Sequence, residues 1–385
     1  MANLPPDRID ALGQAGMSAL SRGDAPLARQ HFEAIVAGGG ADASVWLAIG
    51  LACQAMDDAA GLSRALDQVL VFEPQNLRAL LMKGDLLAAS GDRRAAISFY
   101  NLVVGLVPDT TGLPPEIAGE ITRVRKALEI LNSGVYRDLE AHLGRKGYDP
   151  AKASPRFRES LDLLAGRKTR YVSQPRAFFY PELPNIQFFP RDLFPWMERL
   201  EAATDDICAE LAQVMALPGA FQPYIEAEAN RPTDPSDSLL DNQDWSACYI
   251  WRNGHVVPEI AELCPKTLAA LAGIELETVA DRAPFILFSK LAPGARIEPH
   301  HGFQNTRLVA HLPLIVPPNC RFRVGNEERV WEKGKAWVFD DTIEHEAHNG
   351  SDETRVILIF NIWRPELSSE ERGLIASLME GIDTL

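Results

Sequence analysis

Cysteine is scarce in this 385-residue chain: there are five, Cys53, Cys208, Cys248, Cys264 and Cys320, far apart and without a Cys-x-x-Cys pair. That scatter gives neither a cysteine-held zinc site nor a disulfide framework, and it fits a reducing compartment. Basic residues are in deficit, 38 Lys and Arg against 53 Asp and Glu for a net charge of −15. Nucleic acid and anionic lipid are therefore disfavoured as electrostatically held partners. No apolar run reaches the roughly 18 residues that span a bilayer, and residues 1–20 lack a basic-then-apolar leader pattern. The expectation is a cytoplasmic protein without a membrane span, long enough for at least two cores.

What the chain does have is a repeat. Residues 10–108 recur with a period of 34: Gly16, Gly50 and Gly84; Asp24, Asp58 and Asp92; Phe32, Leu66 and Tyr100; Ile35, Val69 and Val103. Leu12, Trp46 and Leu80 keep the register, and Pro74 and Pro108 close the second and third units. The period, with small residues at helix contacts and a Gly/Asp turn, resembles the tetratricopeptide repeat. Gly50 and Ala96 would let antiparallel helices approach, Phe32 and Tyr100 would fill the gap between neighbouring pairs, and a binding surface would lie on the concave face. Pro114-Pro115 then opens a helical stretch to about Gly144 that would cap the last exposed apolar face, and Ser154 with Pro155 starts one more short helix. The expected divisions are 1–112 for the α-solenoid, 113–168 for the capping and linking helices, and 169–385 for a second domain.

In that second domain, prolines and aromatics crowd Tyr171 to Pro190, an extended segment expected to lie across a sheet. One helix is expected from Phe194 to Met215. Asn230 to Asp244 reads as a long surface loop of the kind that forms lids. Strand patterns follow at Trp245–Trp251, Ala283–Leu291, Thr306–Ile315, Cys320–Val324, Ala336–Phe339 and Arg355–Trp363, and Ser368 with Glu371 starts a closing helix. Such a run suggests a double-stranded β-helix of the jelly-roll or cupin type with flanking helices, so the chain as a whole is multidomain α + β.

Side chains alternate along a strand, so Arg307, Val309 and His311 share one face and Leu308, Ala310 and Leu312 the other. The apolar set belongs in the core; the first set faces a pocket. By the same rule Arg355 shares a face with Ile357, Ile359 and Asn361, and a strand cation on such a face calls for an anion. His300, between Pro299 and a following His301-Gly302, and His345, after an acidic turn, stand at strand ends. Imidazoles so placed suit Fe, Zn, Cu or Ni, and the working assignment is one Fe(II) on the pair.

Residues from about Tyr171 to Arg372 resemble the aspartyl/asparaginyl β-hydroxylase family of Fe(II)- and 2-oxoglutarate-dependent dioxygenases. The resemblance rests on Pro299-His300-His301-Gly302 with Asn305, His311-Leu312 with Leu314, Trp331-Glu332-Lys333-Gly334-Lys335, Phe339-Asp340-Asp341 leading to Glu344-His345-Glu346, and Trp363-Arg364-Pro365-Glu366-Leu367. Some members also carry tetratricopeptide repeats. The resemblance implies that His300 and His345 ligate iron, that Arg355 with Ser289 holds the distal carboxylate of 2-oxoglutarate, and that His311 contacts the co-substrate nearer the metal. Gly302, where most such enzymes place a carboxylate, matches this family's omission of a third ligand. Val309 departs from the family's arginine; Arg307, on the same face, would partly replace it only in a rearranged pocket. His301 and His348 carry no implied role and are expected at the solvent.

The implied reaction takes O2 and 2-oxoglutarate to hydroxylate the β-carbon of a peptide or protein Asp or Asn, with succinate and CO2 as co-products and the repeats recruiting the substrate. The alternatives are the same chemistry on a small molecule or lipid acyl chain, or a catalytically silent repeat-based binding protein.

Overall fold

The computed structural model describes residues 4–225 and 240–382. The chain divides into two compact units, Met1–Lys168 and Thr169–Leu385.

The first unit is a stack of helical hairpins: α1 (Pro6–Ser21) with α2 (Ala25–Ala37), α3 (Ala43–Ala55) with α4 (Ala59–Phe72), and α5 (Leu77–Ala89) with α6 (Arg93–Leu106). The repeated aspartates are helix starts. Asp24, Asp58 and Asp92 each accept a hydrogen bond from the backbone N–H three residues on, at Leu27, Gly61 and Ala95, and so satisfy a donor that a helix N-terminus leaves unpaired. The repeated glycines have a different cause. A Cβ on Gly16 would stand 2.6 Å from the Phe32 ring, and one on Gly84 would stand 2.5 Å from the Tyr100 ring. These rings therefore sit within their own hairpins, against the partner helix's glycine, rather than between neighbouring hairpins as the repeat pattern alone suggests. In the middle repeat Leu66 replaces the ring, and Gly50 has ordinary contacts.

A long helix, α7 (Pro115–Arg145), packs Ile121, Val124 and Leu128 onto Leu80, Ala96, Tyr100 and Val103 of the last hairpin. Residues 113–168 thus belong to the first unit, where α7 covers an otherwise exposed apolar face. The short α8 (Pro155–Leu164) begins at Ser154, whose Oγ accepts from the Phe157 N–H.

In the second unit the expected 194–215 helix is two helices, α9 (Trp196–Ala202) and α10 (Thr204–Met215). They part where the Thr204 hydroxyl takes the Glu201 carbonyl, a side-chain bond that competes with the helix ladder. The strands are β1 (Gln222–Pro223), β2 (Trp245–Arg252), β3 (His255–Val256), β4 (Ile286–Leu291), β5 (Arg296–His300), β6 (Arg307–Ile315), β7 (Cys320–Val324), β8 (Glu327–Val330), β9 (Trp337–Phe339), β10 (His345–Asn349) and β11 (Arg355–Trp363). Two short helices, α11 (Pro258–Ala261) and α12 (Pro265–Leu271), lie between β3 and β4, and α13 (Ser369–Ile382) closes the chain behind a reciprocal Ser368–Glu371 capping box.

Two antiparallel sheets form, one ordered β1-β2-β4-β11-β6-β9 with β3 beside β2, the other β5-β10-β7-β8. From β4 onward the chain winds back and forth between them, which is the winding of a double-stranded β-helix. One face of the large sheet, including Leu308, Ala310, Leu312, Val356, Leu358 and Phe360, packs on Met197, Leu200, Ile207 and Leu211 of α9 and α10. Its other face meets the small sheet across Leu291, Val309, Phe322, Trp331, Trp337, Phe339 and Ile357. The segment from Tyr171 onward crosses the sheet ends, with Gln174 N–H donating to Thr342 and Arg176 N–H to Gly302. Among the described residues no helix is long and apolar enough to cross a membrane.

The ring-on-glycine packing predicts opposite outcomes for two similar changes. Gly84→Ala collides with buried Tyr100, and the overpacking of about 1–3 kcal/mol exceeds the helix-propensity gain of about 1 kcal/mol. Gly119→Ala, in α7 with nothing within 4 Å of the new methyl, keeps that gain. Urea unfolding followed by far-ultraviolet circular dichroism should show a lower midpoint for the first and a higher one for the second.

Candidate functional site

The histidines come together because β5 and β10 pair antiparallel, with His345 opposite His300. Their ring centres are 4.1 Å apart at 51°. Nδ1 of His300 lies 2.8 Å from the Glu298 carbonyl, and Nδ1 of His345 lies 3.1 Å from the Ile343 carbonyl. A carbonyl only accepts, so each Nδ1 carries the proton and each Nε2 presents the lone pair. This is the tautomer that a metal-binding imidazole needs, fixed by a backbone partner. Burial, reinforced by the neighbouring His300, holds the His345 pKa well below its ordinary value, so the ring is neutral. A metal–imidazole bond is about 2.0–2.1 Å, and rings sharing one ion then have centres roughly 4–5 Å apart. The pair therefore fits a metal on geometry and on donor chemistry. Among the described residues no group of three or more His, Cys, Asp and Glu is disposed to hold one.

The two strands that carry the pair were not among those expected. In β5 only Ile297 is buried, and β10 is His-Glu-Ala-His-Asn. Their polar outer faces hide the period-two signal in segments of five residues.

Gly302 has a physical role. A Cβ there would fall 2.2 Å from Oδ2 of Asp341, so a carboxylate from the β9–β10 turn fills the space that a side chain at 302 would take. The adjacent aspartates are divided by partner. Asp340 is fully buried and bound to Arg364 Nη1 at 2.7 Å; Asp341 faces the site, and its Oδ1 has no hydrogen-bond partner among the described residues. Burial pushes the Asp341 pKa up to about 7, against the opposing pull of Arg307.

At the other end of the same face stands Arg355, 1% exposed, with Nε and Nη2 unpartnered among the described residues. Its guanidinium lies 4.8 Å over the Trp331 ring, and burial pulls its pKa down to about 10, so it stays charged at neutral pH. Near it are two further buried nitrogens without a partner among the described residues, His311 Nδ1 and Trp331 Nε1, and Trp337 Nε1 on β9 is a third. Burial, then the Arg355 charge, drives the His311 pKa well below normal. Ser289 lies diagonally across from Arg355, since β11 pairs Arg355 with Leu291 and Ile357 with Ser289; its Oγ accepts from Trp245 Nε1 at 3.1 Å and keeps its own proton to donate. A dry site with this many donors around an uncompensated cation is built for an anion with several acceptor oxygens.

Arg307 is placed differently. Its Nη1 is 3.4 Å from Glu277 and its Nη2 is 3.7 Å from Asp341, so two carboxylates share its charge. Val309 is buried in the core between the sheets, opposite Asn361 of β11. His301 and His348 are half-buried rather than solvent-facing. Of the expected surface loop Asn230 to Asp244, residues 230–239 lie outside the described residues. Sequence reasoning gave no role to Asp341, Glu277 or Trp331. A glycine two after His300, with an acidic residue four before His345, is the only signal that pointed to Asp341.

These features define a class: a double-stranded β-helix that carries, between its sheets, a tautomer-fixed histidine pair and a buried guanidinium unpaired among the described residues. Residues 201–365 match the family model described as Aspartyl/Asparaginyl beta-hydroxylase. Aspartate beta-hydroxylase domain-containing protein 2 of Xenopus tropicalis is 28% identical over 252 residues, which are 64% of this chain and 66% of that protein. Aspartyl/asparaginyl beta-hydroxylase of Mus musculus is 37% identical over 143 residues, 37% of this chain and 19% of that protein. Among solved structures, the type III secretion chaperone SycD of Yersinia enterocolitica, in complex with a peptide of the translocator YopD, is 21% identical and covers 34% of this chain and 96% of that one at a TM-score of 0.31. Residues 201–365 of the C-terminal unit are thus similar to the aspartyl/asparaginyl β-hydroxylase family.

Arg355 is held at a cost to stability when no anion is present. Arg355→Met should stabilise the ligand-free protein by about 1 kcal/mol or more and so raise its thermal midpoint, because it removes an uncompensated buried charge. Added small dicarboxylate should raise the midpoint of the wild type and leave that of the variant unmoved; a destabilised variant would show that the charge has a partner within the fold.

Proposed function

We propose that the C-terminal unit is an Fe(II)- and 2-oxoglutarate-dependent dioxygenase that hydroxylates the β-carbon of an Asp or Asn side chain in a peptide or protein. The observation that carries this reading is the presence, between the same two sheets, of two imidazoles with fixed Nε2 lone pairs and a buried guanidinium that has no carboxylate partner among the described residues. The histidine pair supports a metal; the guanidinium supports a dicarboxylate; the two together match the needs of an oxoglutarate-dependent oxidation.

His300 and His345 would hold the iron through Nε2. When bound, iron and 2-oxoglutarate supply the oxidising chemistry, in which O2 converts a C–H to C–OH and the keto acid to succinate and CO2. The chain's own residues bind, orient and exclude water. Arg355 neutralises the distal carboxylate of the co-substrate, a charge-assisted contact worth about 1.5–3 kcal/mol, and Ser289 donates its hydroxyl to the same group. His311 stands further along β6 from that end and, being neutral, can accept or donate a hydrogen bond toward the keto acid. The aromatic wall of Phe322, Trp331, Trp337 and Phe339 keeps the site dry, which strengthens each of these contacts. The stacked helical hairpins of the first unit offer an extended surface on which a protein or peptide partner is recruited.

The test is direct. Full-length protein supplied with Fe(II), oxoglutarate and air should form succinate slowly without substrate and faster with a modified peptide. His345→Ala should lose metal uptake by elemental analysis while keeping its circular dichroism, since a strand-end ligand adds little to the core. Wild-type protein that takes up no metal and forms no succinate with any peptide pool would overturn the reading.

A further inference from the structure

The two ends of the pocket face differ in charge balance, and the difference bears on what is hydroxylated. This inference rests on the proposed hydroxylase reading and narrows it. At one end Arg355 is a cation with no carboxylate partner among the described residues. At the other, Glu277 is 1% exposed and collects donors from Gln304 Nε2, Arg307 Nη1 and Asn361 Nδ2. Arg307 in turn reaches Asp341, and Asp341 lies against Gly302, two residues from His300. The order is therefore carboxylate, guanidinium, carboxylate, running up to the histidine pair. No cation at this end is left over, among the described residues, for a third carboxylate.

Two atoms of this ladder are buried and without a hydrogen-bond partner among the described residues: Arg307 Nε, a donor, and Asp341 Oδ1, an acceptor when ionised. Arg307 Nε can donate only to an acceptor, and Asp341 Oδ1 calls for a donor. A primary carboxamide offers both on one planar group, C=O for the guanidinium and NH2 for the carboxylate. A carboxylate offers acceptors alone, so with Asp341 ionised one of its oxygens would be set against that residue with Glu277 behind. We infer that the Arg307–Asp341 pair reads a side-chain carboxamide, so that the substrate presents asparagine rather than aspartate to the histidine pair. The reasoning is that of any buried polar site built around a donor and an acceptor: the analogue that cannot complete the pattern leaves one of them unsatisfied or opposed.

The experiment uses full-length protein with Fe(II) and oxoglutarate and a synthetic peptide pool with random flanks around one central Asn or Asp. Mass spectrometry counts the gain of one oxygen at each. Wild-type protein should modify Asn over Asp by a factor of about 10⁴, in line with discrimination by buried hydrogen-bonding groups. Zinc-loaded protein, which cannot turn over, should retain the Asn members of the same pool preferentially on a column. Asp341→Asn, which can present N–H donors where the carboxylate stood, should reduce the Asn-to-Asp ratio at least tenfold by both readouts. Equal or better use of Asp by the wild type overturns the inference and leaves the hydroxylase reading intact, as does succinate formation with neither peptide class modified. Absence of both metal uptake and succinate formation sinks the hydroxylase reading, and this inference with it.

Discussion

Arg355 is a buried guanidinium with no carboxylate partner among the described residues, and the arrangement of the second unit follows from keeping it that way. An isolated buried charge costs several kcal/mol, so the surrounding structure must be rigid and apolar enough to tolerate it. The large sheet provides this by dividing its two faces. Leu308, Ala310, Leu312, Val356, Leu358 and Phe360 bury one face under α9 and α10. The opposite face is thereby freed to carry His311, Arg307, Asn361 and Arg355 toward the small sheet.

Polarity along that face organises the chemistry. One end carries uncompensated positive charge and donors, the environment of an anionic co-substrate. The other carries a buried Glu277–Arg307–Asp341 ladder whose charge is balanced internally or slightly negative. The histidine pair belongs to the opposing sheet, held by β5–β10 pairing and by backbone carbonyls that set the tautomer. Groups that would repel or neutralise one another in a small peptide are kept apart here by two sheets and a wall of aromatic rings.

The helical unit uses simpler means. Each hairpin is set by an aspartate that caps its second helix, and in two of the three a ring is seated on a glycine of the first. Because the same local device recurs every 34 residues, the unit extends by addition and needs only a terminal cover, which α7 supplies.

Much of this was legible from residue order. The 34-residue period marked the hairpins, alternation on β6 and β11 separated core from pocket, and the Gly302 gap flagged an unusual ligand set. These signals survive in one dimension because they depend on periodicities of the backbone itself, 3.6 residues for a helix and two for a strand. Tertiary structure alone decided the rest. That Phe32 and Tyr100 stay inside their own hairpins, that β5 and β10 are strands at all, that Asp341 fills the space beside Gly302, and that Glu277 takes up the charge of Arg307 are contacts between residues distant in sequence or set by strand register. Whether a buried charge is compensated or left open depends on which neighbour folding brings within about 4 Å, and nothing local to Arg307 or Arg355 distinguishes the paired guanidinium from the unpaired one.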